Sequence, residues 1–110
     1  MNQGEIWYID LNPVKGSEQA GYRPVVIISG NLLNKYLDVV IVCPLTSKIK
    51  HYKGNIVLKP TRENGLKNQS EILLFHIRSV SKARFVKRIG KISRSQVDEL
   101  IENLNDILRY

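Results

Sequence analysis

Short apolar segments recur along most of the chain and are separated by Gly, Pro and Asn, a pattern that predicts a mainly β structure. Strands are predicted near residues 5–11, 22–29, 37–46, 54–59, 71–75, 76–80 and 85–92. So many short strands in one small chain favour a compact barrel. The segment at 25–28 is apolar throughout and consists of β-branched residues, so it is expected to be buried on both faces of the sheet.

In the last part of the chain, apolar residues are spaced as in a helix rather than a strand. Residues 93–96 read SRSQ, which is the S-x-x-Q capping box that begins many helices. Apolar residues then recur at steps of three and four, which predicts an amphipathic helix with one face packed on the barrel. The predicted core positions of this helix are Val97, Leu100, Ile101, Leu104, Ile107 and Leu108. The predicted fold class is therefore mainly β (α+β), a small barrel with a C-terminal amphipathic helix.

Length and composition restrict the class of protein. A chain of 110 residues with 43% hydrophobic residues is expected to form one domain over residues 1–110. No apolar run approaches the roughly 20 residues that span a bilayer, so no membrane association is expected. The N-terminal residues do not resemble a signal peptide, and the lone Cys43 is expected to be a buried, inert thiol. These features predict a cytoplasmic protein.

The formal net charge is +7, and its distribution is uneven. The segment 78–94 contains seven basic residues and no acidic one, and we call this segment the basic run. Its members are Arg78, Lys82, Arg84, Lys87, Arg88, Lys91 and Arg94. A solvated surface is the simpler interpretation of a charge run, but the complete absence of acids favours a face that binds a polyanion.

Two predicted strands each carry, at one end, a polar residue suited to binding a phosphate. Arg23 stands at the start of the buried strand, and Pro24 biases it toward an extended conformation. Thr46 ends a second apolar strand, two residues after Pro44. A guanidinium and a hydroxyl, each at the end of an apolar strand, suggest a site at which Arg23 and Thr46 hold a phosphate group.

Other catalytic signatures are missing from the sequence. There is no Gly-rich phosphate loop, no G-x-S-x-G and no H-E-x-x-H, and His51, His76 and Cys43 lack metal-ligand spacing. Neither a metal nor a cofactor is therefore expected. RNA cleavage suits such a residue set, since RNA carries its own nucleophile, the 2′-OH. The protein then has to align that hydroxyl, move protons and stabilise charge on the phosphate.

A series of motifs resembles the MazF/PemK-type toxins, the metal-independent endoribonucleases (mRNA interferases) of bacterial toxin–antitoxin pairs. The motifs are GEIWYIDLNP at 4–13, GSEQ at 16–19, RPVV at 23–26, PLTS at 44–47, IRSV at 77–80 and the helix at 91–110. The resemblance covers nearly the whole chain. It implies an SH3-like barrel, a homodimer, a single-stranded RNA substrate and products with 2′,3′-cyclic phosphate and 5′-OH ends. It also implies that Arg23 and Thr46 are the catalytic pair.

The loop at 16–19 resembles the loop that borders the RNA channel in this family and is covered by the antitoxin. The positive charge of the chain suggests that this partner is acidic. Many relatives carry Glu-Gln before the Ile-Arg pair, whereas this chain has Phe75-His76. Histidine exchanges protons near neutral pH, so His76 is a candidate for proton transfer as well as for packing. The predicted RNA-binding residues are Ser17, Glu18, Gln19, Ser47, His76, Arg78, Lys82, Arg84, Lys87 and Arg88.

Two other functions remain open on the residues alone. A toxin of the same fold but another class, similar to the gyrase poison CcdB, binds a protein and cleaves nothing. It would not need the pairing of Arg23 with Thr46. A non-catalytic nucleic-acid-binding barrel would need only the basic run.

Overall fold

The computed structural model describes residues 1–11 and 22–110, and in this part of the chain a strongly curved antiparallel sheet carries two helices. The strands are β1 (Glu5–Asp10), β2 (Tyr22–Ile27), β3 (Val39–Thr46), β4 (Ile56–Leu58), β5 (Ser70–Ile72), β6 (Arg78–Ser81) and β7 (Phe85–Lys91). The helices are α1 (Asn31–Tyr36) and α2 (Arg94–Arg109), and Leu74–His76 and Lys82–Arg84 form single 3₁₀ turns. The predicted fold class is confirmed.

Strand β3 is the centre of the sheet. The strand order is β4-β5-β3-β2-β1-β7, and β6 also pairs with β3. One edge of β3 pairs with β2, while its other edge pairs with β6 along the first half and with β5 at Leu45 and Thr46. The end of β3 at Thr46 therefore lies between β2 and β5.

Both faces of the sheet are packed, as the uninterrupted apolar segments predicted. The larger cluster lies between the sheet and α2 and includes Ile6, Val26, Cys43, Leu45, Leu58, Ile72 and Leu74. The smaller cluster lies on the opposite face and consists of Ile9, Val25, Ile27, Val40, Val42 and Val80. Residues 25–28 contribute alternately to the two clusters, and all four are buried, as predicted.

A turn at residues 61–65 joins the two ends of the curved sheet, and we call this junction the seam. The amide of Lys91 donates a hydrogen bond to the carbonyl of Glu63 at 2.9 Å. A Cβ on Gly90 would lie 2.3 Å from that same carbonyl oxygen, and a Cβ on Gly65 would lie 2.3 Å from the carbonyl oxygen of Ile89. Only glycine permits this approach of backbone to backbone, and Gly65 also has a φ of +67°.

Helix α2 begins at the predicted capping box, in which Ser93 Oγ accepts from the Gln96 amide at 3.1 Å and Gln96 Oε1 accepts from the Ser93 amide at 2.9 Å. Val97 and Leu100 are buried. The prediction that all six apolar positions are core is wrong for Ile101, Ile107 and Leu108, which are exposed. The reason is that the helix packs on the larger cluster through Val97, Leu100 and Leu104 alone among the six, so the buried stripe is narrower and shorter than the apolar period.

Helix α1 was not predicted, because it lies between the strands predicted at 22–29 and 37–46 and its six residues are too few to show an apolar period. Its Asn34 is buried, and Asn34 Nδ2 donates to the carbonyl of Ser29 at 2.9 Å. The hydroxyl of Ser29 donates to Asn34 Oδ1 and accepts from the amide of Ile41 at 2.9 Å, which ties the helix to β3. The predicted strands at 71–75 and 76–80 are also corrected. Strand β5 ends at Ile72, and a 3₁₀ turn at Leu74–His76 comes before β6. No described helix is long and apolar enough to cross a membrane.

Candidate active site

Arg23 and Thr46 lie at facing ends of β2 and β3. The ladder between these strands pairs Val25 with Pro44 and Ile27 with Val42. Continuing this antiparallel register by two residues places Arg23 opposite Thr46. Directly opposed residues in an antiparallel pair project from the same face and lie close together. The sequence placed both residues at strand ends, and the sheet brings these two ends together.

Arg23 is an exposed cation in extended backbone. It pairs in register with Ile9 of β1, and Pro24 follows it in β2. Within residues 1–11 and 22–110, no hydrogen bond or ion pair engages its guanidinium. Its five N–H donors are therefore available to a ligand, and their planar arrangement fits two oxygens of a phosphate.

Thr46 is half-buried, and its hydroxyl group has a defined role. The oxygen Oγ1 accepts a hydrogen bond from the amide of Lys48 at 3.1 Å. Because the oxygen acts as the acceptor in this turn, its proton remains available for donation to another group. Ser47, the next residue, is exposed beside it.

Two clefts meet at Arg23. The first has a volume of about 530 Å³ and is lined by Tyr8, Arg23, Thr46, Ser47 and Lys48, among others. The second has a volume of about 310 Å³ and lies on the face of the smaller apolar cluster. Its lining includes Arg23, Val25, Val42, His76 and Arg78. Four predicted site residues, Thr46, Ser47, His76 and Arg78, thus line the clefts that meet at the Arg23 guanidinium.

His76 reaches the second cleft from the 3₁₀ turn and is exposed. Its ring contacts the ring of Phe75 edge to face, with centroids 4.6 Å apart. Phe75 in turn contacts Tyr52, with centroids 5.4 Å apart. Phe75 and His76 therefore belong to a surface cluster of rings.

Glu71 is a buried carboxylate beside the site, and sequence reasoning missed it. It lies directly across from Thr46 in the β3–β5 ladder. Its Oε1 accepts from the amides of Lys50 and His51 at 2.7 and 2.9 Å, and its Oε2 accepts from the amide of Tyr52 and from Asn55 Nδ2 at 2.9 and 2.8 Å. We call this arrangement the carboxylate clamp.

The clamp determines the charge state of Glu71. Burial alone would raise the pKa of this carboxyl, but hydrogen bonds from Asn55 and from three backbone amides lower the pKa from 4.5 to about 2. The carboxylate is therefore ionised at neutral pH and holds the turn that follows Thr46. No sequence signal marked it, because three of its four donors are backbone amides 19 to 21 residues upstream.

The five members of the basic run that are predicted to bind RNA divide into two groups in the structure. Arg88 Nε forms an ion pair with Glu5 Oε2 at 3.3 Å, Arg84 Nη1 donates to the carbonyl of Asp10 at 3.2 Å, and Lys82 Nζ donates to the carbonyl of Asn34. These three cations connect β6 and β7 to the rest of the barrel. Arg78 lines the second cleft, and Lys87 pairs in register with Tyr8, which lines the first.

Glu5 also receives a hydrogen bond from Trp7 Nε1 at 2.9 Å. Partial burial would raise the pKa of Glu5, but this bond, the Asn2 amide and the nearby Arg88 lower it overall. Glu5 therefore remains a charged partner for Arg88.

Some predictions concern the loop at 16–19, and Ser17, Glu18 and Gln19 lie outside the described residues. Cys43 is fully buried, and burial raises the pKa of its thiol to about 12, as expected for an inert cysteine. Within the described residues, no group of three or more His, Cys, Asp or Glu side chains is arranged to hold a metal ion.

Comparison with known proteins decides the family. The family model of the PemK-like, MazF-like toxin of type II toxin–antitoxin systems matches residues 2–108. The chain belongs to this family.

Similar proteins of this PemK-like, MazF-like family are named endoribonucleases. It is 37% identical over 109 residues to the endoribonuclease MazF of Staphylococcus saprophyticus, a match that covers 97% of this chain and 89% of that protein. It is 32% identical over 105 residues to the endoribonuclease EndoA of Bacillus subtilis, covering 94% and 90%. The prediction of a MazF-like endoribonuclease is confirmed at the level of the family.

Solved structures agree on the fold. The MazE–MazF crystal structure (Form-II) from Deinococcus radiodurans superposes with a TM-score of 0.83 at 24% identity, over 99% of this chain and 96% of that one. A mycobacterial endoribonuclease in complex with its cognate antitoxin superposes with a TM-score of 0.81 at 17% identity, over 99% and 95%.

Proposed function

We propose that this MazF-like protein is the toxin of a type II toxin–antitoxin pair and cleaves single-stranded mRNA at specific sequences without a metal ion. The observation that carries the proposal is the facing position of Arg23 and Thr46 at the junction of two clefts. Family membership supports the reaction class, and the same membership disfavours both a gyrase poison and a non-catalytic barrel.

The proposed reaction is an attack of the 2′-OH on the adjacent phosphorus. The 2′-oxygen forms a bond to phosphorus, the bond to the 5′-oxygen breaks, and the products carry a 2′,3′-cyclic phosphate and a 5′-OH. Two oxygens of the phosphate bind the guanidinium fork of Arg23, which stabilises the charge of the pentacovalent state. The hydroxyl of Thr46 donates a further hydrogen bond to the same group.

Proton transfer needs a second side chain. A proton must leave the 2′-OH and another must reach the 5′-oxygen. Arginine stays protonated at neutral pH, so it cannot accept the first proton, and it is too weak an acid to donate the second. His76 lines the same cleft as Arg23, and histidine exchanges protons near neutral pH. In this proposal Arg23 binds and stabilises the phosphate, while His76 is the candidate for proton exchange.

The proposed partners follow from charge and from the relatives. A protein of net charge +7 attracts single-stranded RNA, which we propose to contact the loop at 16–19, Ser47 and the basic run. A MazF of Deinococcus radiodurans is named in complex with MazE, and we propose a cognate acidic antitoxin here too. We further propose a homodimer of single-domain chains, acting in the cytoplasm where mRNA is found.

The test is cleavage of a long defined RNA by the purified protein in the presence of EDTA. We expect cuts at one recurring short sequence, with 5′-OH ends, and no cut where the scissile nucleotide carries 2′-deoxyribose. Loss of cleavage in EDTA with recovery in magnesium would contradict the metal-independent reaction. Cleavage next to a 2′-deoxyribose would contradict the proposed nucleophile.

The proposed antitoxin and the proposed homodimer are tested separately. Inhibition by the cognate antitoxin should weaken as salt rises, and RNA and antitoxin should compete for the toxin. Simultaneous binding of both would contradict a shared surface, and a monomer at micromolar concentration by light scattering would contradict the homodimer.

A further inference from the structure

Three rings form an exposed row beside the second cleft. Tyr52 and Phe75 are each 49% exposed, which is unusual for side chains that contact each other edge to face at 5.4 Å. His76 continues the row at 4.6 Å from Phe75. We call Tyr52, Phe75 and His76 the ring row.

The ring row is continuous with the cleft that holds Arg23. His76 belongs both to the row and to the cleft lining, together with Arg78. A strand of RNA whose phosphate lies at Arg23 would therefore reach Phe75 and Tyr52 next. The row consequently lies along the path of the substrate rather than on a remote surface.

The row is held in place before any ligand binds. The amide of Tyr52 donates to Glu71 in the carboxylate clamp, and Asn55 Nδ2 donates to the same carboxylate. Asn55 Oδ1 accepts from the amide of Leu74 at 3.0 Å, next to Phe75. One network therefore ties both ring-bearing segments together, and a prearranged surface loses less entropy on binding.

The charges around the row fit a nucleic acid. The segment 46–55 carries Lys48, Lys50 and Lys53 and no acidic residue. Aromatic rings among lysines are typical of surfaces that bind single strands, since unpaired bases stack on the rings while the lysines attract the backbone. A duplex would not expose the faces of its bases.

We propose that Tyr52 and Phe75 form a stacking subsite for one unpaired base of the RNA, adjacent to the nucleotide held at Arg23. This inference rests on the proposed function, because it extends the same substrate path. Stacking accepts every base, so the subsite adds affinity and register, while hydrogen bonding elsewhere selects the sequence.

The test uses binding of a short RNA that the protein cannot cleave. The probe is a 2′-O-methyl RNA oligonucleotide with 2-aminopurine at successive positions, which has no free 2′-OH. We expect one position at which 2-aminopurine fluorescence is quenched by the wild-type protein. Phe75→Leu and Tyr52→Leu should abolish that quenching and weaken binding roughly 5- to 100-fold.

Matched variants separate stacking from general damage. Phe75→Tyr and Tyr52→Phe keep a ring and should retain both quenching and affinity, and Tyr36→Leu removes an exposed ring in α1 and should change neither. Melting curves confirm which variants fold, and if Phe75→Leu unfolds, Tyr52→Leu alone carries the test.

Other outcomes would overturn the inference in distinguishable ways. If the wild type cleaves RNA and both leucine variants bind the probe as it does, the subsite is refuted and the proposed function stands. If the leucine variants change sedimentation but not RNA affinity, the row is a contact between copies of the chain and the subsite is refuted. If the wild type neither binds nor cleaves RNA, both proposals fail.

Discussion

Arg23 and Glu71 lie on the two strands that flank the end of β3, with Thr46 between them. Arg23 is exposed, and within the described residues no hydrogen bond or ion pair engages it. Glu71 is fully buried and accepts four hydrogen bonds. The donors of Arg23 are thus available for a ligand, whereas the acceptor capacity of Glu71 is used by the fold. A cation whose side chain has no hydrogen-bond partner among residues 1–11 and 22–110 is suited to binding a ligand, whereas a carboxylate with four such partners is suited to supporting the fold.

The largest expected effect concerns Arg23. Arg23→Ala should lower the cleavage rate about 10²- to 10³-fold, the usual loss for one donor to a developing anion. Its melting temperature should stay near the wild-type value, because no described contact is lost. Arg23→Lys should recover only part of the rate, since an ammonium lacks the planar fork. Arg109→Ala, at the exposed end of α2, is the matched control, and near-normal cleavage by Arg23→Ala would remove the site assignment.

Substitution of Glu71 should have the opposite effect to substitution of Arg23: it should lower the stability of the fold rather than remove a charge that binds the ligand. Glu71→Gln replaces one acceptor oxygen by an NH₂ that faces backbone N–H donors, and leaves buried amides unsatisfied. We expect a loss of about 1–3 kcal/mol in the free energy of unfolding, measured by urea denaturation. Glu99→Gln, on the exposed face of α2, should be close to neutral.

The same residue gives a pH dependence. The pKa of Glu71 in the folded protein is about 2, below its ordinary 4.5, so the stability it contributes is present above 4.5 and is lost as pH falls toward 2. The difference in melting temperature between wild type and Glu71→Gln should therefore shrink progressively over this range. A difference that stays constant down to pH 2 would contradict the ionised clamp.

Thr46 lies between Arg23 and Glu71, and its substitution should slow cleavage less than substitution of Arg23. Thr46→Val keeps the shape but removes the hydroxyl, and we expect cleavage to slow roughly three- to tenfold, the worth of one neutral hydrogen bond. Thr46→Ser should retain most of the rate because it keeps the donor. If Thr46→Val cleaved RNA as fast as the wild type, the proposal that the Thr46 hydroxyl acts together with Arg23 would be contradicted.

The smallest effect compares two neighbouring cations of the basic run. Lys87 pairs in register with a residue of the first cleft, whereas Arg88 is bound to Glu5. Lys87→Gln should weaken RNA binding several-fold at every sequence and reduce the slope of log affinity against log salt by about 0.7. Arg88→Gln should change that slope less. If both variants changed the slope of log affinity against log salt equally, the division of the basic run into RNA-binding and structural cations would be refuted.

Much of the fold could be predicted from the sequence, because β-branched runs and a capping box are local signals. Helix α1 was missed since its stability depends on the buried side chain of Asn34 rather than on an apolar period. The exposed end of α2 was mispredicted because a period shows which face is apolar but not how far the sheet extends beneath it.

The site was only partly predictable. Arg23 and Thr46 were found from their places at strand ends and from the family motifs, whereas their facing register required the sheet. The carboxylate clamp had no signal at all, since backbone amides are the same for every sequence. His51, whose amide donates to that clamp, adopts a φ of +57°. This backbone conformation could not be predicted from the histidine side chain.

The seam has a genetic consequence. A Cβ at Gly65 or Gly90 would lie 2.3 Å from a backbone carbonyl oxygen, so any amino-acid substitution there introduces a Cβ that the barrel cannot accommodate without opening. Cells under selection to survive this toxin without its antitoxin should therefore collect inactivating alleles at both glycines as well as at Arg23. The former would lower the amount of folded toxin, and the latter would leave abundant but harmless protein, so immunoblotting of survivors would sort the two kinds.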